Sequence, residues 1–144
     1  MPGLDTNAKF LAKVPLFANL KSGQLERLSK RFVSRDYKVG QDIVTQGKGG
    51  AGLFILASGA AEAVRVRSDG TKVTVNTFGP TDFFGELALL DDEPRTASVV
   101  ATEDTKCLVL SQWEFFGALR DDAEISIEIL QELAKRFRRA LNVL

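Results

Sequence analysis

The chain has 144 residues, and its 19 basic and 19 acidic side chains give a formal net charge of zero. This length fits one domain whose core is large enough to fold without disulfides or a structural metal. The absence of histidine excludes His-based triads, imidazole bases, His-ligated metals and histidine pH switches. The single cysteine, Cys107, excludes an internal disulfide and a cysteine-cluster metal site, and it suits a reducing cytoplasm. The even charge balance disfavours a general binder of nucleic acid or anionic membranes.

No targeting signal is visible at the amino terminus. Met1 to Val14 mixes charged and apolar residues and has no hydrophobic secretory core. The longest uninterrupted apolar run, Leu53 to Ala57, is far too short to cross a bilayer. We therefore expect a cytoplasmic globular protein that does not associate with membranes.

The amino-terminal residues have helical periodicity. Pro15 separates an apolar face that ends at Val14 from a second short element at Leu16-Phe17. Ser22 then stands where an N-cap residue belongs, ahead of apolar residues at spacings of three and four. These residues are Leu25, Leu28 and Phe32. The pattern predicts N-terminal helices over residues 1–33.

From Val33 the periodicity changes, and short β-prone runs alternate with glycine-containing turns. The runs are Ile43–Thr45, Leu53–Leu56, Val64–Arg67, Val73–Val75, Thr96–Ala101 and Lys106–Leu110. Ser68-Asp69-Gly70 predicts a hairpin between the third and fourth of them. Many short strands at this spacing favour a β-sandwich or jelly roll over a parallel sheet.

The helical pattern returns at the carboxyl end. Ser111 to Glu114 has the form of a capping box, and Asp121 or Asp122 opens a last helix of about twenty residues. The chain is therefore predicted to be a single domain, mostly β with helical ends. We place the β-roll over residues 34–110 and the C-terminal helices, the last of them long, over residues 111–144.

Residues 83–97 carry the strongest chemical signal. Gly85 precedes a short helix-capable stretch, where a ligand can approach the N–H groups of a helix start. Arg95 offers a planar guanidinium that suits a phosphate, whereas Glu86 repels a phosphate and suits a hydroxyl donor such as a sugar. The implied ligand is an anion next to a hydroxyl-bearing ring. A structural Glu86–Arg95 ion pair that brackets a surface turn explains the two residues equally well.

Phe84-Gly85-Glu86-Leu87-Ala88-Leu89 followed by Pro94-Arg95-Thr96-Ala97 resembles the phosphate-binding cassette of cyclic-nucleotide-binding domains. Such domains occur in catabolite activator proteins, protein kinase A regulatory subunits and cyclic-nucleotide-gated channels. The resemblance covers nearly the whole chain. It includes Val14-Pro15-Leu16-Phe17 as the N-terminal helical turn, and Gly47, Gly50, Leu53-Phe54-Ile55 and Gly59 as the paired-glycine hairpin with its following strand. It implies a double-stranded β-helix flanked by helices, with the cassette over residues 83–97.

The resemblance also implies a role for each cassette residue. Arg95 would hold the exocyclic oxygens of the cyclic phosphate, and Glu86 would accept a hydrogen bond from the ribose 2′-hydroxyl. Backbone N–H groups around Gly85, Ala88 and Ala97 would complete the phosphate cradle. The predicted ligand-binding residues are Phe84, Gly85, Glu86, Leu87, Ala88, Arg95, Thr96 and Ala97.

The identity of the base depends on Thr96. Members that bind cyclic GMP use a hydroxyl at this position to meet the amino group of a syn guanine, but the same Arg-Thr pair occurs in members that prefer cyclic AMP. A β-branched residue at a strand start explains Thr96 equally well. We expect cyclic AMP rather than cyclic GMP. The chain departs from the family at Ala51, where members often place an acid that orients the arginine.

The last helix has two apolar sets. The first has the a/d spacing of a coiled coil and consists of Ile127, Leu130, Ala134, Phe137, Leu141 and Leu144. The second, which could pack on the β-roll, consists of Ile125, Ile129, Leu133 and Ala140. Two apolar faces need two partners, so a homodimer through the first set is slightly favoured over one broad buried face. The resemblance implies dimerisation as in catabolite-activator-type proteins, or a lid over the base formed by Phe137, Leu141 and Leu144.

A basic run near the end of this helix consists of Lys135, Arg136, Arg138 and Arg139. Acidic residues occupy the start of the same helix, so the macrodipole explains the run without nucleic acid. The sequence also ends where activator proteins would begin a helix-turn-helix domain, and we therefore expect no DNA binding.

These features predict a stand-alone cyclic-nucleotide sensor that has no metal and no cofactor besides its ligand, and that signals to an unknown effector protein through its last helix. The alternative is a binding-dead roll retained for oligomerisation or docking, which the intact Glu86 and Arg95 disfavour and Ala51 favours. An enzyme is not expected, since a catalytic jelly roll would need His-rich metal ligands.

Overall fold

A computed structural model describes residues 6–48, 52–85 and 96–142 of the chain. The chain divides into two units. The helical unit contains the described residues up to Arg31 together with those from Trp113 onward, and the β unit extends from Phe32 to Gln112.

The helices lie at the two ends of the chain, as the sequence predicts. Their bounds are Thr6–Leu11 (α1), Ser22–Ser29 (α2), Gln112–Asp121 (α3) and Ala123–Asn142 (α4), with a 3₁₀ turn at Pro15–Phe17. Only Asp122 separates α3 from α4. Its carboxylate Oδ1 accepts hydrogen bonds from the N–H groups of Glu124 and Ile125 at 3.0 and 3.3 Å, so it caps α4. The prediction that Asp121 or Asp122 opens the last helix is confirmed at Asp122.

The predicted N-cap of α2 is wrong by one residue. Ser22 is the first helical residue, and Lys21 takes the N-cap position. The N–H of Lys21 donates to Oε1 of Gln24 at 2.8 Å. A glutamine at the third helical position closes this turn from within the helix, and the serine hydroxyl is therefore not needed as the cap.

The β unit is a two-sheet antiparallel sandwich, in agreement with the predicted fold class. Its strands are Val33–Tyr37 (β1), Asp42–Val44 (β2), Gly52–Ser58 (β3), Ala61–Val66 (β4), Lys72–Phe78 (β5), Phe83–Phe84 (β6), Ser98–Ala101 (β7) and Thr105–Ser111 (β8). Among the described residues, one sheet has the order β1-β8-β3-β6 and the other has the order β2-β7-β4-β5.

The core of the sandwich combines residues from both sheets. Its buried members are Ile43, Leu56, Ala61, Ala63, Phe84, Val99, Ala101, Cys107 and Val109. Because two sheets bury only their facing sides, residues alternate between core and surface along β4 and β7. Burial also raises the pKa of the Cys107 thiol to about 12, so this cysteine is a neutral core residue at physiological pH.

The predicted β4–β5 hairpin is present. The N–H of Arg67 donates to the carbonyl of Thr71 at 2.8 Å, and Gly70 has a φ of 88° in the turn. Two strands carry too little local signal to be named from sequence. β1 is almost entirely exposed and polar, and β6 has two residues, so both depend on hydrogen bonds to β8 and β3.

No helix within the described ranges is long and apolar enough to span a bilayer.

Candidate functional site

The predicted cassette is described only at its two ends. Phe84 and Gly85 belong to the first end, and Thr96 and Ala97 belong to the second. The remaining predicted ligand residues, Glu86, Leu87, Ala88 and Arg95, lie outside the described residues, as do Ala51 and Leu144. The geometry of the site is therefore that of the frame on either side of the cassette.

The first end of the frame is fixed by aromatic packing. β6 pairs with β3, with Phe84 opposite Phe54 and Phe83 opposite Ile55. The rings of Phe84 and Phe54 stack with centroids 5.2 Å apart and planes 1° apart, and Phe78 lies 5.2 Å from Phe84 at a tilt of 43°. Phe84 is only 7% exposed. This predicted site residue is a core anchor that fixes where the cassette begins.

Gly85 follows this anchor with a φ of 94°. Residues with a side chain adopt that region only at a cost in conformational energy, whereas glycine does so freely. The chain can therefore turn sharply away from β6 directly after the buried Phe84. This is the conformational freedom on which the sequence interpretation of Gly85 depends, and its approach to a ligand stays a prediction.

The second end of the frame leads into β7. Thr96 is exposed, and its backbone carbonyl accepts a hydrogen bond from Nε of Arg65 on β4 at 3.3 Å. Ala97 is partly buried against the sandwich core. Ser98 then begins β7, opposite Val64 of β4. The cassette is thus anchored to the core at Phe84 on one side and at Ala97 on the other.

Gln46, which the sequence interpretation did not single out, joins three segments at this second end. Its N–H donates to the Ser98 hydroxyl oxygen at 2.8 Å. Its side-chain amide accepts from the N–H of Val66 at 2.8 Å and donates to the carbonyl of Val66 at 3.2 Å. The one sequence signal that could have drawn attention to it is its position directly before Gly47 of the paired-glycine loop.

Possible metal ligands are not clustered in the described part of the chain. Within it, no group of three or more His, Cys, Asp or Glu side chains could hold a metal ion. In the β4–β5 hairpin, the Thr71 hydroxyl donates to Asp69 and lowers the pKa of its carboxyl group.

The predicted helical seam is solvent-exposed along the described part of α4. Ile127 is 52% exposed, Leu130 64%, Phe137 66% and Leu141 51%. In the second apolar set Ile125 and Ile129 are buried and Leu133 is partly buried, whereas Ala140 is exposed. A broad single buried face is therefore wrong for α4, because only one of the two apolar sets is covered.

The basic run on α4 is partly engaged within the helix. Glu132 is 9% exposed, and its Oε2 lies 3.7 Å from Nε of Arg136 and 3.6 Å from Nη2 of Arg139. These two arginines therefore share one nearly buried carboxylate. This reduces the charge that the run presents to solvent.

A separate open groove of about 350 Å³ lies at the β1–β8 end of the sandwich. It is lined by Asp36, Tyr37, Lys38, Ser58, Asp104, Thr105 and Lys106. None of these is a predicted site residue, and the acidic and basic groups in the lining balance one another. The groove is thus distinct from the cassette frame.

Comparison with protein families adds a direct match. Residues 34–122 match the family described as the cyclic nucleotide-binding domain. This interval contains the entire cassette and the described frame around it.

Individual relatives are consistent with this match. The cyclic AMP receptor protein of Thermus thermophilus is 34% identical over 126 residues, which is 88% of this chain and 58% of that protein. A cAMP-dependent protein kinase regulatory subunit of Aspergillus fumigatus is 41% identical over 97 residues, which is 67% of this chain and 23% of that protein. The chain thus spans about three fifths of the first of these curated relatives and a smaller share of the second.

A solved structure shows the same fold. The N-terminal domain of a transcriptional regulator from Streptomyces coelicolor A3(2) superposes with a TM-score of 0.86 at 27% identity. The alignment covers 94% of this chain and 96% of that domain. The sandwich with helical ends is therefore the architecture of a known regulatory domain.

Proposed function

Since this chain belongs to the cyclic nucleotide-binding domain family, we propose that it is a sensor that binds cyclic AMP in preference to cyclic GMP and signals through α4. The observation that carries the proposal is the family match over residues 34–122, which contains a complete Glu86/Arg95 cassette. The Phe84 and Ala97 anchors support it, because they hold both ends of that cassette against a rigid core.

The proposed chemistry is recognition without reaction. Arg95 pairs with the exocyclic phosphate oxygens, and backbone N–H groups around Gly85, Ala88 and Ala97 complete the cradle. Leu87 is proposed to belong to the same ligand-binding set. Glu86 accepts a hydrogen bond from the ribose 2′-hydroxyl, and this contact makes the site selective for ribonucleotides. Each of these groups binds the ligand, and none needs to transfer a proton.

Cyclic AMP is proposed as the preferred ligand because the Thermus thermophilus and Aspergillus fumigatus relatives are named for it. Thr96 is exposed, so its hydroxyl can meet a guanine amino group. We therefore expect cyclic GMP to bind as well, but more weakly than cyclic AMP. Titration of the wild-type protein with each nucleotide decides the preference. Equal or tighter binding of cyclic GMP would reverse this part of the proposal.

We propose α4 as the output element. Its exposed seam needs a partner, and a second copy of the chain suits it because the a/d spacing is self-complementary about a two-fold axis. Phe137, Leu141 and Leu144 are the residues proposed to close over the base when ligand is bound. A ligand that favours one arrangement of α4 then shifts the population of that arrangement, and an effector protein reads the shift.

The deciding experiment is isothermal titration calorimetry of the whole chain with cyclic AMP and cyclic GMP. Thermal denaturation with the same ligands provides an independent readout, because a ligand at 100 times its Kd adds about 2.7 kcal/mol of stability. Neither heat nor stabilisation at millimolar ligand would refute the sensor. If neither ligand binds and the oligomeric mass is the same with and without ligand, a binding-dead roll used for oligomerisation or docking is favoured.

Arg95→Ala is expected to weaken cyclic AMP binding by about ten- to a hundredfold, since a charge-assisted hydrogen bond contributes about 1.5–3 kcal/mol. Arg95→Lys keeps the charge but loses the planar fork, so its affinity should fall between those of wild type and Arg95→Ala. Arg67→Ala, at an exposed arginine of the hairpin, is the matched control.

The 2′-deoxy analogue of cyclic AMP tests the second proposed contact. Wild type should bind it less tightly than cyclic AMP, and Glu86→Ala should remove most of that difference.

Full affinity of Arg95→Ala for cyclic AMP would contradict the assignment of the phosphate contact.

A further inference from the structure

Gln46 makes hydrogen bonds to two strands of one sheet, β7 and β4. The sheet order is β2-β7-β4-β5, so β7 lies between β2 and β4. Gln46 comes two residues after β2, yet its side chain bonds to Val66 at the end of β4. To do so, it crosses the start of β7, where its N–H donates to the Ser98 hydroxyl oxygen at 2.8 Å. Gln46 therefore reaches across β7, the strand that lies between β2 and β4.

The β4–β7 ladder ends at the place where Gln46 crosses it. Ala61 pairs with Ala101, and the register continues as far as Val64 opposite Ser98. Extended by two residues, the same register would place Thr96 opposite Val66. The described Thr96 is not in a strand, and its carbonyl accepts from the Arg65 side chain instead.

The amide of Gln46 takes over the two bonds that this missing pair would make. An antiparallel hydrogen-bonded pair exchanges one N–H and one carbonyl bond in each direction. Val66 makes both bonds with Gln46, through its N–H at 2.8 Å and its carbonyl at 3.2 Å. The next residue, Arg67, directs its N–H to Thr71 on the β5 side, so Val66 faces the β7 side of β4. The side chain thus acts as a substitute strand residue in the place of Thr96.

We infer that Gln46 is a positioning residue for the ligand site. Its side-chain amide occupies both backbone groups of Val66, so Thr96 does not pair with β4 and the chain before Ser98 leaves the sheet. This inference rests on the proposed function, because Arg95 directly precedes Thr96 in the sequence and Ala97 follows it. If the ladder extended to Thr96, the backbone on both sides would be drawn toward β4. The guanidinium and the Ala97 N–H would then be displaced from the phosphate.

Gln46→Met tests this inference, because methionine keeps the length of the side chain and removes both amide bonds. Gln41→Met is the matched control, since Oε1 of Gln41 also accepts a backbone N–H, that of Lys38 at 3.1 Å, but in the turn between β1 and β2. A second pair of variants addresses the Ser98 contact: Ser98→Thr keeps the hydroxyl acceptor and Ser98→Ala removes it.

The first readout needs no ligand. In ¹⁵N-resolved NMR spectra of the ligand-free chain, Gln46→Met should show cross-strand NOEs between residues 66 and 96 that wild type and Gln41→Met lack. Spectra in which residues 96–98 keep their wild-type contacts would overturn the inference. This readout remains decisive even if the wild-type chain binds no cyclic nucleotide, an outcome that would refute the proposed function alone.

The second readout is the Kd for cyclic AMP measured by calorimetry. Gln46→Met should bind about tenfold more weakly than wild type, which corresponds to the contribution of about one hydrogen bond. Ser98→Ala should also lose affinity, while Ser98→Thr and Gln41→Met should retain it. If wild type binds and Gln46→Met binds equally well, Gln46 has only a structural role and the positioning inference is wrong.

Discussion

At the residue scale, two turn glycines with nearly the same φ differ in structural importance. Gly59, between β3 and β4, has a φ of 91°, and Gly70, in the β4–β5 hairpin, has a φ of 88°. A Cβ at residue 59 would lie 2.5 Å from the Asp104 carbonyl oxygen and from Oγ1 of Thr105. A Cβ at residue 70 would have nothing within 4 Å. Both positions favour glycine conformationally, but only Gly59 is also packed against another backbone segment.

Gly70→Ala should therefore destabilise the fold by about 1–2 kcal/mol, the cost of a left-handed alanine. Gly59→Ala should cost about 2 kcal/mol more, because the Asp104–Thr105 backbone must move as well. Urea unfolding at equilibrium gives both values, with each variant acting as the control for the other. Equal losses of stability would show that the space around Gly59 does not matter.

At the element scale, α2 and the residues directly after it are joined to α3 and the α3–α4 junction by a series of ion pairs within the helical unit. Arg31 donates to Oε1 of Glu114 at 3.0 Å and to Oδ2 of Asp121 at 2.6 Å. It lies close to Gly117 of α3, where a Cβ would come 2.7 Å from Nη1 of Arg31. A glycine is unfavourable inside a helix, and here the close approach of the guanidinium accounts for it.

Asp122 joins the same series to the start of α4. One carboxylate oxygen caps the helix, and the other accepts a hydrogen bond from Nη2 of Arg27 at 2.9 Å. The hydrogen bond from Arg27 is the largest of the causes that lower the pKa of Asp122. Since Asp122 alone separates α3 from α4, any change in the angle between them must strain either the cap or the Arg27 contact.

Asp122→Asn keeps a good N-cap and removes the charge, whereas Asp122→Ala removes both the cap and the charge. At neutral pH we expect wild type to be the most stable and Asp122→Ala the least. A lowered folded-state pKa stabilises the protein while Asp122 is ionised, above its unfolded pKa of about 3.9, and this stabilisation is lost as the pH falls through the folded value.

The stability gap between wild type and Asp122→Asn should accordingly close below about pH 4. Urea midpoints measured from pH 7 to pH 3 test this, with Glu128→Gln on the same helix as the carboxylate control. A gap that remains constant down to pH 3 would show that the Asp122 charge does not stabilise the folded state.

At the scale of the whole molecule, the seam of α4 is an apolar surface that the described part of the chain leaves exposed. Ile127 and Leu130 belong to the dimer interpretation alone, while Phe137 and Leu141 belong to both the dimer and the lid interpretations. The two interpretations can therefore be separated by residue. A charge placed near the middle of the seam would be buried without a partner in a dimer but would remain solvated in a monomer.

Leu130→Asp is expected to convert a dimeric wild type to a monomer without loss of affinity for cyclic AMP. Sedimentation velocity measures the mass, and Gln131→Asp, which adds the same charge at an exposed neighbouring position, is the control. A monomeric wild type would refute the proposed dimer and leave the lid as the proposed role of the seam. Loss of ligand affinity in Leu130→Asp would show that association and binding are linked.

The sequence alone determined those parts of the fold that depend on near neighbours. The order of helical ends around a β-sandwich, the Ser68-Asp69-Gly70 hairpin and the start of α4 follow from periodicity, turn chemistry and a cap, which act over a few residues. The cassette was also visible, because its residues are contiguous. Its ligand contacts stay predictions, since Glu86 and Arg95 lie outside the described residues.

Only the tertiary structure decided the features whose partners are distant along the chain. The strands β1 and β6 exist through pairing with β8 and β3, the glycine at residue 117 accommodates Arg31, and one apolar face of α4 is covered while the other is exposed. Gln46 is the clearest case, because its partners lie 20 and 52 residues away. A glutamine has no periodicity or turn signal of its own, so its role depends entirely on which backbone groups the folded sheet leaves within its reach.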